Sequence, residues 1–145
     1  MEEIAFRSAE PEDWREIKSL LQEADLPLLG AEEHLEDFVL AHRAQETLGC
    51  GGWERYGEFA LLRSVVVKAP ERGKGVGLAL LQHLLWKAQR EHITHLYLLT
   101  TTAPEFFHRL GFRAITRQDV PCTVQTSVEF QEACPQSAIV MEIAL

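Results

Sequence analysis

A chain of 145 residues, 46% of them apolar, is long enough to bury roughly two-thirds of its unfolded surface, so one domain over residues 1–145 is expected. The formal charge of −8 argues against a surface that coats nucleic acid, and Cys50, Cys122 and Cys134 lack the spacing of a disulfide framework or a zinc site. No apolar run approaches the ~20 residues that cross a bilayer, and Met1-Glu2-Glu3 opens no signal peptide, which makes the cytoplasm the expected compartment.

Ile4–Arg7 alternates as a short strand. Pro11, with acids around it, opens a helix in which Trp14, Ile17, Leu20, Leu21 and Ala24 repeat at three and four, and Pro27 and Gly30 break it. A second short helix is expected over Glu32–Asp37. Phe38–Ala41 reads as a strand, His42–Glu46 as a turn and Thr47–Glu54 as the antiparallel partner. Gly57 marks the next turn, and Phe59–Val67, apolar and β-branched, is the central strand. Three strands joined by short turns make a meander.

Pro70 stops the central strand, and Arg72-Gly73-Lys74-Gly75-Val76-Gly77 leads into a helix from Leu78 to about Glu91. Ile93–Thr101 is the following strand, parallel to the central one because a helix crosses between them. Ala103–Leu110 is a short helix ended by Gly111, Phe112–Arg117 a strand, Thr126–Ala133 a helical turn and Ala138–Ala144 the last strand. The order is that of an α/β sheet, antiparallel at first and parallel at the crossover.

Strand, glycine-rich turn and helix together present unpaired backbone N–H groups and the positive end of a helix dipole to an anion. Glycines 73, 75 and 77 let the backbone approach a phosphate closely, and Arg72 and Lys74 add positive charge. A Walker loop would follow its Gly-Lys with Ser or Thr, and a dinucleotide fold would space its glycines Gly-x-Gly-x-x-Gly; neither pattern is present.

Arg72-x-x-Gly75-x-Gly77 after a valine-rich strand resembles the acyl-CoA-binding signature of the GNAT superfamily of N-acetyltransferases. Ala103…Phe106-Phe-His-Arg-Leu-Gly-Phe112 resembles a second motif of that family, and the order of elements is similar along the whole chain. Ala60-Leu-Leu-Arg-Ser-Val65, Tyr97-Leu-Leu-Thr-Thr-Thr-Ala103 and Glu129-Phe…Cys134-Pro-Gln-Ser-Ala138 resemble the GNAT proteins associated with arsenic-resistance operons. The resemblance implies a GNAT fold, a mixed central sheet of about 6–7 strands flanked by helices, with acetyl-CoA as cofactor. It implies a small amine as substrate, amino-acid-like and anionic, with an arsenical or phosphinic amino acid as one instance, and no nucleic-acid or membrane partner. A protein or peptide amine, or a non-catalytic acyl-CoA sensor, are the alternatives, and a homodimer is expected by analogy with the fold.

By the same resemblance, Val65, Val66 and Val67 pair with the pantetheine arm. Arg72, Gly73, Lys74, Gly75, Val76, Gly77 and Leu78 hold the pyrophosphate, and Phe107 lies beside the cofactor. Many relatives have a tyrosine at the position of Phe107, and phenylalanine has no proton to give the departing thiolate. Tyr97 is a second candidate for that proton, or a half-buried core residue. A thiol of pKa ~8.5 leaves tolerably without an acid.

Attack requires the acceptor ammonium to lose a proton. Glu54, at the end of the strand beside the central one, is the first candidate base, unless it is a solvated turn carboxylate next to Arg55; His34, His42 and Glu129 are weaker candidates. Arg63 lies inside an apolar strand, in phase with Val65 and Val67 if no bulge intervenes, while Ser64 points to the other face. A buried guanidinium must be paired, either with an internal carboxylate such as Glu54 or with an anionic substrate group. Arg63, Ser64, Thr100 and Thr101 are therefore the candidate substrate-binding residues, the threonines because ligands bind at the carboxyl ends of parallel strands.

Overall fold

The computed structural model describes residues 3–133 and 137–145. The Cys134–Gln136 part of the C-terminal signature lies outside the described residues. The strands are β1 (Ala5–Ser8), β2 (Phe38–Arg43), β3 (Glu46–Tyr56), β4 (Phe59–Val67), β5 (His95–Thr100), β6 (Arg113–Ile115) and β7 (Ile139–Ala144). Among the described residues they form one seven-stranded sheet in the order β1-β2-β3-β4-β5-β7-β6. β1 to β4 run antiparallel, β4 and β5 are parallel, and β7 inserts between β5 and β6.

The helices are α1 (Trp14–Glu23), α2 (Val76–Arg90), α3 (Pro104–Arg109) and the single turn α4 (Cys122–Gln125). α1 follows a 3-10 turn at Pro11–Asp13, in which the Asp13 carboxylate accepts the Glu10 N–H at 2.7 Å and an Arg7 fork at 2.8 Å. Its apolar stripe, Ile17, Leu20 and Leu21, packs on Phe38, Leu40, Cys50 and Val66. α2 packs on the opposite face, where Leu80, Leu81 and Leu84 are fully buried against Leu48, Trp53, Leu62 and Leu96. Burying each of these leucines is worth ~1.5–3 kcal/mol. The C-terminal segment adds Val120, Val124 and Phe130 to the α1 side, over Leu61, Tyr97 and Val140.

The central strand falls where its residues place it, and its phase does not. Ala60 and Leu62 face α2 and Leu61 faces away, yet Val66, four residues after Leu62, faces α1. A bulge explains the switch: Val66 pairs with Cys50 and Arg63 with Gly52, so Ser64 and Val65 together oppose Gly51. Ser64 has φ +61, a left-handed conformation that accommodates the extra residue of one type of bulge. Arg63 is thus out of phase with Val65 and Val67.

Three other elements differ from expectation. The turn between β2 and β3 is only Ala44–Gln45, because both strands extend into the expected loop. β6 stops at Ile115, since Arg117–Asp119 winds into a 3-10 turn. The helical turn expected over Thr126–Ala133 is a π-type turn over Glu129–Ala133, and a separate turn, α4, precedes it.

Candidate active site

β4 and β5 share a ladder only from Phe59↔His95 to Leu61↔Tyr97. Beyond it the two strands part, and a cavity of about 550 Å³ opens between Leu62–Val67 of β4 and Leu98–Ala103 at the end of β5. Phe106, Phe107, Gly77 and Leu81 line one end, and Asp25–Pro27, Arg63, Glu129 and Ala138 the other. The parting also leaves one side of β4 without a strand partner. Lys68 N–H donates to Leu48 O at 2.8 Å on the β3 side, so strand alternation turns the Val67 N–H toward the cavity.

At the mouth of the cavity, Gly75 is the N-cap of α2 with φ +85, and no side chain caps the helix. The first N–H groups of a helix have no intrahelical partner, and no acid occupies the first turn of α2 to compete for them. Gly73 is also left-handed, with φ +79, and a Cβ at Gly73 or Gly75 would meet nothing within 4 Å. The loop is held to the strand by Arg72, whose Nε donates to Val67 O at 3.0 Å. Backbone donors, open space and a helix dipole converge on one spot.

The other end is a buried polar network centred on Arg63. Its guanidinium donates to Glu54 Oε2 at 2.7 Å, Leu29 O at 2.7 Å, Pro27 O at 3.1 Å and, from Nε, Ser64 Oγ at 3.1 Å. Glu129 Oε1 is 3.5 Å from the same Nε. Of the two partners open to Arg63 in the sequence, the internal carboxylate is the one it has. The bulge also brings Ser64 onto the cavity wall beside Arg63, where an unbroken strand would have pointed it away.

Glu54 sits behind that arginine, 1% exposed, and not on the cavity wall. Burial alone would raise its pKa; hydrogen bonds from Tyr56, Ser127 and Arg63, and the Arg63 charge, outweigh this and hold it below the ordinary carboxylate value. A carboxylate so saturated is a counter-ion and a poor proton acceptor. Glu129, ranked below it in the sequence, is the buried carboxylate that faces the cavity, and burial, the largest cause, pushes it up to about 7.

Thr100 lines the cavity and its hydroxyl oxygen accepts the Ala103 N–H, 3.0 Å away, while Thr101 is exposed on the rim. His34 stands 3.9 Å from Glu54, and His42 is bound to Ala44 O at 3.1 Å; neither lines the cavity. Tyr97 is buried under the C-terminal segment, so it cannot serve the cavity as an acid. The π-type turn that delivers Glu129, and the Asp25–Pro27 wall, carry no sequence signal that separates them from ordinary loops.

The family model for an acetyltransferase (GNAT) domain matches residues 34–114, more than half of the chain. The chain belongs to the GNAT family. Among curated proteins this GNAT chain is 29% identical over 111 residues to the [citrate [pro-3S]-lyase] ligase of Escherichia coli, covering 76% of this chain and 30% of the ligase. It is 28% identical over 112 residues to the uncharacterised N-acetyltransferase CT2212 of Chlorobaculum tepidum, covering 74% of this chain and 72% of the relative. Its fold is similar, with a TM-score of 0.85 and 21% identity, to N-acetylglutamate synthase from Neisseria gonorrhoeae complexed with coenzyme A and N-acetyl-glutamate. That likeness covers all of this chain and 36% of the synthase chain, so the chain spans about a third of both the ligase and the synthase.

GNAT enzymes use acetyl-CoA, and the residues present fit that donor. The open edge at Val65–Val67 suits an amide-bearing arm, and residues 72–78 suit a pyrophosphate at the N-terminus of α2. Phe107 lines the cavity between them, packed against Phe106 and Phe112 at ring separations of 5.4 and 5.7 Å. Bound there, the donor supplies an activated acetyl thioester. Among the described residues no helix is long and apolar enough to cross a membrane.

Proposed function

We propose that residues 1–145 form one acetyltransferase domain that moves the acetyl group of acetyl-CoA to the amino group of a small, amino-acid-sized molecule. The observation that carries this reading is the cavity itself: one continuous space runs from the α2 N-terminus to the Asp25–Pro27 loop and Glu129. Its volume of about 550 Å³ leaves room for a donor arm and a small acceptor together. Asp25–Pro27 and Glu129 wall the cavity on that side, which favours a small acceptor over a protein amine.

Within this reading the chain's own groups have distinct tasks. Val67 N–H, or its neighbour on the same edge, is a donor for the charge that develops on the thioester oxygen. The apolar wall of Leu62, Leu81, Leu98 and Phe107 keeps water from the reacting atoms. Holding donor and acceptor in one cavity is the largest gain, ~7–11 kcal/mol where the alignment is good. Arg63, with four of its N–H groups already engaged, offers no fork to an anion, so the acceptor is written as an amine without an assigned carboxylate site. An arsenical or phosphinic amino acid is one member of that class, supported by sequence resemblance alone.

Phe107 favours a second reading, an acyl-CoA sensor without turnover, because it removes the family's usual acid. One experiment separates the two: purified protein, acetyl-CoA and a panel of amines (amino acids, ethanolamine, polyamines and an N-terminal peptide), read by thiol release. Turnover with any small amine ends the sensor reading. Binding of acetyl-CoA with no turnover across the panel ends the enzyme reading.

A further inference from the structure

Glu129 is, among the described residues, the one carboxylate that is both buried and on the cavity wall; Asp25, the other acid there, is exposed. It opens the π-type turn Glu129–Ala133, a winding that often marks functional positions. Ser127 holds the turn below it, accepting Phe130 N–H at its hydroxyl and Gln131 N–H at its carbonyl, 3.3 and 3.0 Å away. Arg63 Nε lies 3.5 Å from Glu129, yet that N–H is directed at Ser64 Oγ, and the remaining Arg63 bonds go to Glu54, Leu29 and Pro27. The Arg63 charge is thus shared, and its hydrogen bonds are given to others.

We infer that the Glu129 carboxylate binds the acceptor's ammonium and takes its proton. The inference rests on the transfer reaction proposed above. One proton passes from the ammonium nitrogen to a Glu129 oxygen. The freed lone pair forms the N–C bond as the C–S bond of the thioester breaks, and the second surplus proton of the nitrogen ends on the released thiolate. Glu129 then returns its proton to solvent, so the protein is unchanged.

The electrostatics agree with this division of work. Arg63 stands between two carboxylates whose environments push them apart, Glu54 downward and Glu129 upward to about 7. One is a fixed counter-ion; the other exchanges a proton near neutral pH, where a general base is most useful. The charged groups that act on Glu129 are Arg63 from β4 and Glu54 behind it on β3, and Asp25 lines the same end of the cavity. His34 and Tyr56 contact Glu54.

The test uses the whole protein with ethanolamine, L-alanine and L-glutamate as probes. In the wild type, kcat/KM for the acetylated amine should rise with pH along a limb centred near neutrality. E129Q should lose ~10²–10⁴-fold in kcat together with that limb, and E129D should recover part of it. The melting shift given by acetyl-CoA should be the same in all three. Without acetyl-CoA, the ¹³C carboxyl resonance of Glu129 should titrate near neutrality and move when ethanolamine is added. E129Q within roughly fivefold of wild type with its limb intact overturns the inference. So does a resonance that ignores an amine the enzyme acetylates, or a variant that loses only melting temperature. If no amine is acetylated but ethanolamine still moves the resonance, the transferase reading falls and the amine site stands.

Discussion

Arg63 Nη1 donates to Glu54 Oε2 at 2.7 Å, and neither side chain is more than 2% exposed. Removing one partner of such a pair leaves the other charged and dry, at a cost of ~3–5 kcal/mol. Arg63→Met should therefore destabilise the fold by about that much, in urea denaturation, with or without acetyl-CoA. Arg63→Lys keeps the charge, loses the fork and should fall between. A stable Arg63→Met variant with selectively weakened acceptor affinity would return Arg63 to the role of substrate anion site.

The α2 N-terminus predicts a clean separation between two substitutions at one glycine. Acetyl-CoA at 100 times its Kd should add ~2.7 kcal/mol, raising Tm by roughly 5–10 °C. Gly75→Ala strains a φ of +85 by ~1–2 kcal/mol but meets no neighbour, so the ligand-induced shift should survive. Gly75→Asp sets a carboxylate at the helix N-terminus and should abolish it. A folded Gly75→Asp protein that keeps the full shift would show that the phosphates bind elsewhere.

At Phe107 the expectation is a packing effect. Its ring lies edge-on to Phe106 and Phe112, and it has no proton to donate. Phe107→Leu should cost about 1 kcal/mol in stability and less than about tenfold in kcat. A thousandfold loss of kcat in a well-folded Leu variant would contradict thiolate departure without a side-chain acid.

Glu129 predicts a pH-dependent stability of defined sign. Its pKa in the fold, about 7, is above the ordinary glutamate value of 4.5, so between these two pH values the folded state holds the extra proton. Stability from this group is complete below the lower value and is lost as pH rises through the upper one. Glu129→Gln cannot ionise, so its advantage over wild type should appear above pH ~5 and level off above pH ~7, at about 1–3 kcal/mol. Chemical denaturation of both proteins from pH 5 to 8 measures it; a gap that does not change with pH would refute the buried-acid account. Activity and stability should then pull in opposite directions across neutrality.

What was legible in the sequence follows from how local its cause is. Val65–Val67, Pro70 and the three loop glycines announce strand, stop and turn within a short window, and the structure places β4 and the start of α2 accordingly. The bulge was hidden because its left-handed residue is Ser64, in a run of strand-forming residues, where glycine would have been the usual signal. That one residue sets Val65 and Val67 on the opposite face from Arg63. Glu54 misleads for a related reason: from the sequence it ends near a cleft, and only the fold shows Arg63 and Tyr56 closing around it. Glu129 meets Arg63 across 66 positions of chain, on a turn with no repeating pattern to mark it.

The ladder between β4 and β5 is three residue pairs long. On one side of it stand β1 to β4, on the other β5, β7 and β6, with α2 as the hinge strap between the two leaves. A ligand that spans the opening would work as a stitch across this short joint. Protease resistance should therefore track ligand supply, with the first cuts in free protein at the exposed glycine loop. How long each copy survives in a cell would then depend on the cell's acyl-donor pool, through the sheet itself.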